Sequence, residues 1–132
     1  MAHKLSITNL KKVSVRDSII VKGRVAPCSR SFSINMGRDD STYLIQFNPQ
    51  FQCQEVIYKS KKSGTYSQAT RDTVFPFQQN TDVEITFNFN GNKVTVDYPG
   101  GHQFHYSSDV NLDHIACISV DGDFEVNSID LK

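Results

Sequence analysis

The dominant period along this chain is two. Phe32, Ile34 and Met36 alternate with Ser31, Ser33 and Asn35, and Tyr43, Ile45 and Phe47 alternate with Leu44, Gln46 and Asn48. Val83, Ile85, Phe87 and Phe89 alternate with Glu84, Thr86 and Asn88, and Val94, Val96 and Tyr98 with Thr95 and Asp97. Successive side chains on a strand point to opposite faces, so each run predicts a strand with one buried and one wet face. Further strands are expected at Leu5 and Ile7 and across Ile19-Ile20-Val21 to Val25. Near the C-terminus, Phe124 and Val126 share one parity and Ile129 and Leu131 the other, so a one-residue bulge around Asn127-Ser128 restores the pattern. Turn signals fall at Gly37–Asp40, Ser63-Gly64, Asn90-Gly91-Asn92, Pro99-Gly100-Gly101 and Asp121-Gly122-Asp123. The one helical candidate is a short turn near Asp109–His114.

Short strands with frequent turns predict an all-β antiparallel sandwich or a closed barrel. A lipid-binding barrel of this length carries a helix pair over its mouth early in the chain. Here the first 25 residues read as strands, which favours a sandwich of two antiparallel sheets. The 132 residues show no repeat, linker or low-complexity run and are expected to form one domain, 1–132.

Composition narrows the function. Hydrophobic residues are 38% and aromatics 11%, enough for a real core. Lys+Arg and Asp+Glu both number 14, so the net charge is zero. A nucleic-acid backbone or an anionic membrane needs a positive field, so neither is expected as a main partner. A local basic cluster, Lys59, Lys61 and Lys62, reads as a solvated turn. The N-terminus lacks the apolar segment of a signal peptide, and no stretch is long and apolar enough to insert in a membrane. Three widely spaced cysteines, Cys28, Cys53 and Cys117, predict free thiols in a reducing, cytoplasmic pool. The histidines are scattered, Cys53 has no histidine near it in sequence, and Asp121-Gly122-Asp123 reads as a hairpin turn rather than a cation loop. No catalytic constellation, metal or cofactor is expected, and the chain is not read as an enzyme.

The informative segment is Leu44-Ile45-Gln46-Phe47-Asn48-Pro49-Gln50-Phe51. Ile45, Phe47 and Phe51 take the apolar role, while Gln46, Asn48 and Gln50 form a polar row on the opposite face. Planar hydrogen-bonding side chains in a row suit hydroxyl-rich ligands, and they equally suit an ordinary solvent face. Together with Val21-Lys22-Gly23-Arg24-Val25, Phe75-Pro76-Phe77-Gln78, Phe104 after a Pro-Gly-Gly-His turn, Asn111-Leu112 and Asp121-Gly122-Asp123-Phe124, this segment resembles the galectins, the leaderless animal β-galactoside lectins. The likeness covers nearly the whole chain. It implies a galectin-type jelly-roll sandwich with a glycan site on the concave sheet, glycans or glycoproteins as partners, and a cytoplasmic protein exported without a signal peptide. The single-domain layout looks like the prototype galectins, which pair through their terminal strands, so a homodimer is expected; Leu5, Ile7, Ile129 and Leu131 supply alternating apolar residues at both ends.

The site departs from the family pattern. Family members show His-x-Asn-x-Arg, then Asn on the next strand, then Trp-x-x-Glu-x-Arg. Here Gln46, Asn48 and Gln50 fill the first three positions, Lys59 the fourth, and Tyr66, Ala69 and Arg71 the last three. Asn48 and Arg71 are kept, Tyr66 is a partial substitute and four positions have changed. Ser31, Ser33, Asn35 and Ala69 are candidate flanking contacts. Glutamine lacks the rigid charged fork of arginine, Ala69 leaves Arg71 without its carboxylate, and Tyr66 offers a smaller stacking face than tryptophan. Weak or altered β-galactoside binding is therefore expected. Two readings stay open, a lectin site retuned to another glycan or a galectin-related structural or protein-interaction module that has lost sugar binding, with a plain galactoside lectin third.

Overall fold

The computed structural model describes residues 3–10 and 13–132. Among the described residues twelve strands follow one another: β1 (His3–Ile7), β2 (Ser18–Val25), β3 (Phe32–Asp39), β4 (Thr42–Gln50), β5 (Glu55–Lys62), β6 (Thr65–Tyr66), β7 (Thr70–Asp72), β8 (Asp82–Asn90), β9 (Lys93–Asp97), β10 (Gln103–Ser107), β11 (Cys117–Gly122) and β12 (Phe124–Leu131). They form two antiparallel sheets. A seven-stranded sheet runs β1-β11-β3-β4-β5-β6, with β7 also pairing with β5; a five-stranded sheet runs β10-β9-β8-β2-β12. Among the described residues there is no helix.

The alternating residues meet between the sheets. Phe32, Ile34, Phe47 and Tyr58 from the first sheet and Ile19, Val21, Ile85, Phe87, Val96 and Phe124 from the second are all buried. Aromatic rings carry much of this core. Phe32 stacks on Phe124 with centroids 4.5 Å apart, Phe47 meets Phe87 edge-on at 5.4 Å, and Tyr58 stacks on Phe104 at 4.5 Å. Offset and edge-to-face pairs of this kind are worth about 0.5–1.5 kcal/mol beyond their buried area. The hydroxyls of Tyr58 and Tyr98 share a 2.6 Å hydrogen bond in the interior, so neither buried oxygen is orphaned. Burial pushes both phenols far above their ordinary pKa.

The expected bulge near the C-terminus is present: the β12–β2 register shifts between Val126 and Ser128. Elsewhere the pattern needed correction. In β4 the alternation breaks at Leu44-Ile45. Met36 pairs with Ile45 and Gly37 with Tyr43, so Leu44 is an extra residue, and both Leu44 and Ile45 are fully buried. The bulge puts Tyr43 on the outer face with Gln46, the opposite of strict alternation. Gly37 lies inside β3, with the turn at Asp40-Ser41; a Cβ there would come within 2.2 Å of the Thr42 carbonyl oxygen.

Two other expectations fail. Asp109–His114 is not helical because its backbone is bonded elsewhere: Asp109 N donates to Ser60 Oγ (3.3 Å), Val110 N to Ser108 Oγ (3.0 Å), and Asp113 O accepts from Val15 N (3.2 Å). Asp121-Gly122-Asp123 is not a hairpin turn. It is the corner where the chain leaves the seven-stranded sheet at β11 and enters the five-stranded sheet at β12. Gly122 has φ near +100°, and a Cβ would sit 2.7 Å from Ser31 O, so this close approach requires glycine. Asp123 fixes the corner: its carboxylate accepts from Arg30 N (3.0 Å) and its N–H donates to Ser31 O (3.0 Å).

Candidate functional site

Burial of Phe47 and Pro49 turns Gln46, Asn48 and Gln50 to the outer face of the seven-stranded sheet. The row is bonded internally. Asn48 Nδ2 donates to Phe32 O at 2.7 Å, and Gln50 Nε2 donates to Asn48 Oδ1 at 2.9 Å. Both ends of the Asn48 amide thus have protein partners. Gln46 is freer: its Nε2 lies 3.5 Å from Tyr66 Oη, the long edge of hydrogen-bond range.

On β5 the core takes Val56, Tyr58 and Ser60, leaving Glu55, Ile57, Lys59 and Lys61 on the outer side. Lys59 stands opposite Gln46, and Lys61 stands between Tyr43 on β4 and Tyr66 on β6. The Lys61 ammonium is 5.1 Å from the Tyr43 ring centroid and 5.0 Å from that of Tyr66; the Lys59 ammonium is 5.5 Å from Tyr66. Desolvation, then the neighbouring Tyr66, raises the pKa of Tyr43. The basic cluster expected to be a solvated turn is therefore strand, with two of its lysines on this face.

Arg71 lies on β7 opposite Ile57. It does not lack a carboxylate, as the loss at Ala69 suggested. Its Nη1 is 3.1 Å from Glu55 Oε1, so Glu55 takes the role from another strand. Glu55 was missed in the sequence although period two places 55, 57, 59 and 61 on one face; its register opposite Gln50 shows only once β4 and β5 are paired. Next to Arg71, the buried Asp72 anchors β7, with Oδ2 2.9 Å from His102 Nε2 and Oδ1 accepting from Val74 N at 3.0 Å.

The flanking candidates divide. Ser33 lies on the outer face of β3 opposite Asp121, and Ser31 bridges to Gln50 at the strand end. Asn35 is only 2% exposed, and its amide donates to Ser119 Oγ at 3.1 Å, so it belongs to the floor of the sheet. Ala69 sits exposed in the link between β6 and β7. Beyond Gln50 a cavity of about 630 Å³ opens at that end of the face, between Cys28–Ser31 and Gln50–Gln52. Among the described residues no group of three His, Cys, Asp or Glu side chains could hold a metal ion.

The chain as a whole is similar to known lectins. The family model described as galactoside-binding lectin matches residues 4–131. Galectin-1 of Ovis aries is 32% identical over 98% of both chains. The chain belongs to the galectin family. Among solved galectin structures, the homodimeric agglutinin CG-16 from chicken liver superposes with a TM-score of 0.91 at 34% identity, covering 98% of this chain and 100% of that one. A toad ovary galectin in complex with thio-digalactose superposes with a TM-score of 0.90 at 26% identity, covering 98% of each. The two-sheet jelly roll is thus the galectin fold, and as a galectin the protein is a carbohydrate-binding lectin rather than an enzyme.

Proposed function

We propose that this galectin is a lectin with a retuned site that binds neutral β-galactosides weakly and is selective for a different glycan. The observation that carries the reading is the internal bonding of the outer face. Asn48 is held by Phe32 O and Gln50, and Arg71 by Glu55. A sugar hydroxyl must therefore compete with protein partners. Gln46, Gln50, Lys59 and Ala69 replace the residues that clamp galactose in the family pattern. Each lost polar contact is worth about 1 kcal/mol and each charged one about 1.5–3 kcal/mol, so several losses weaken lactose binding by orders of magnitude. Asn48, Tyr66 and Arg71 carry the residual affinity: Asn48 through its amide, Tyr66 by packing on a ring face, Arg71 by donating to ring or hydroxyl oxygens. A glycan array run beside a lactose titration tests this. The expected result is a selective glycan signal with lactose far weaker; no signal for any glycan leaves the scaffold as a protein-interaction module.

The same reading includes a homodimer in a reducing, cytoplasmic setting. β1 and β12 are edge strands of the two sheets. Leu5 on β1 is 37% exposed and Leu131 on β12 is 47% exposed. Apolar side chains on paired free edges support two-fold association, and the similar CG-16 is described as a homodimer. Sedimentation at tens of micromolar should give a dimer; a monomer contradicts this part.

A further inference from the structure

Resting on the lectin reading above, we infer that the β5–β6 end of the outer face seats the sulfate ester of a sulfated galactoside between the ammonium groups of Lys59 and Lys61. The charges on this face leave that pair over. Lys4 on β1 stands opposite Asp121 on β11, and Arg71 is bonded to Glu55 at 3.1 Å. Among the described residues neither Lys59 nor Lys61 is in an ion pair. The position where the family pattern has a carboxylate is Ala69, so no anion at that point repels another.

Both ammonium groups lie within 5.5 Å of the centroid of the same ring, Tyr66, whose side chain is open to solvent at 45% exposure. Lys61 is further fixed by the Tyr43 ring and by donating to Asp40 O at 2.9 Å. A lysine already held over aromatic faces loses less conformational freedom when a ligand binds. Each ammonium keeps donors for a ligand, and Gln46, opposite Lys59 on β4, has its Nε2 3.5 Å from Tyr66 Oη.

Geometry favours sulfate over a carboxylate sugar. A planar carboxylate is matched by the guanidinium fork, and the arginine on this part of the face, Arg71, is engaged by Glu55. Lysines act as point charges from separate directions. Three oxygens on a tetrahedral sulfur accept from both at once.

The test is calorimetric titration with lactose, lactose sulfated on its galactose, and sialylated lactose, at about 50 mM and about 300 mM salt. The native protein should bind the sulfated sugar at least about tenfold more tightly than lactose, with the advantage shrinking at high salt. Lys59→Gln/Lys61→Gln should lose that advantage while keeping the native circular dichroism and melting curve. Lys93→Gln, on the five-stranded sheet, should retain it. Equal affinity for sulfated and neutral lactose overturns this inference and leaves the lectin reading standing, as does an advantage that survives the double substitution. An equal gain from sialylated lactose overturns the assignment to sulfate. No binding of any of the three sugars, with none on the glycan array, overturns both readings.

Discussion

The two faces of β4 obey different rules. On the inner face, Leu44, Ile45, Phe47 and Pro49 are buried against the opposing sheet, and any residue there must fill space. On the outer face, Tyr43, Gln46, Asn48 and Gln50 sit half-buried, and what matters is which hydrogen bond each makes. The inner face keeps the galectin fold at 34% identity to CG-16 or less among the structures compared. On the outer face Gln46 and Gln50, which depart from the pattern that the family resemblance implies, are carried without disturbing the strand. A sandwich core tolerates only residues of the right size and polarity, whereas a solvent-facing row can exchange partners at little cost in stability.

The contrast can be broken from the inner side first. Phe47→Ala removes a ring that touches Phe32, Tyr58, Phe77 and Phe87, and should cost about 3–5 kcal/mol in denaturant unfolding. Tyr58→Phe keeps the volume but leaves the Tyr98 hydroxyl without its 2.6 Å partner; the expected cost is about 1–3 kcal/mol by the same measurement. On the outer side, Glu55→Ala removes the acceptor bonded to Arg71, half-exposed on the arginine side. Stability should change by less than about 0.5 kcal/mol, while the freed Arg71 alters glycan affinity measurably in a titration. Thiol labelling gives the gentlest probe. Cys28 and Cys53 are exposed, whereas Cys117 is buried and burial raises its pKa. Two thiols should react promptly with a disulfide reagent in the folded protein and the third only on unfolding.

Much of this was legible in the chain. Period two located the long strands, and the parity switch between Val126 and Ile129 located the bulge in β12. The bulge in β4 was hidden because Leu44 and Ile45 are both apolar and fit either parity until β3 and β5 fix the register. The corner at Gly122 looked like a hairpin because a local turn signal does not say which sheet the next strand joins. The segment 109–114 looked helical because its backbone partners, Ser60 and Val15, lie far away in sequence. At the site, the positions of Gln46, Asn48, Gln50, Lys59, Tyr66 and Arg71 could be numbered from the family pattern. The partner of Arg71 could not, since Glu55 reaches it only through the pairing of β5 with β7.

The central claim is that the scaffold is intact and the outer-face side chains set the weak affinity for neutral galactosides. The most direct measurement is a lactose titration of the native protein beside a variant carrying Gln46→His, Gln50→Arg, Lys59→Asn, Tyr66→Trp and Ala69→Glu together. The variant should bind lactose at least about a hundredfold more tightly, since the regained contacts include charged ones. Any single reversion should do little, because the restored Arg and Glu support each other. Native protein that binds lactose as tightly as the variant, or a folded variant that stays inert, would contradict the claim.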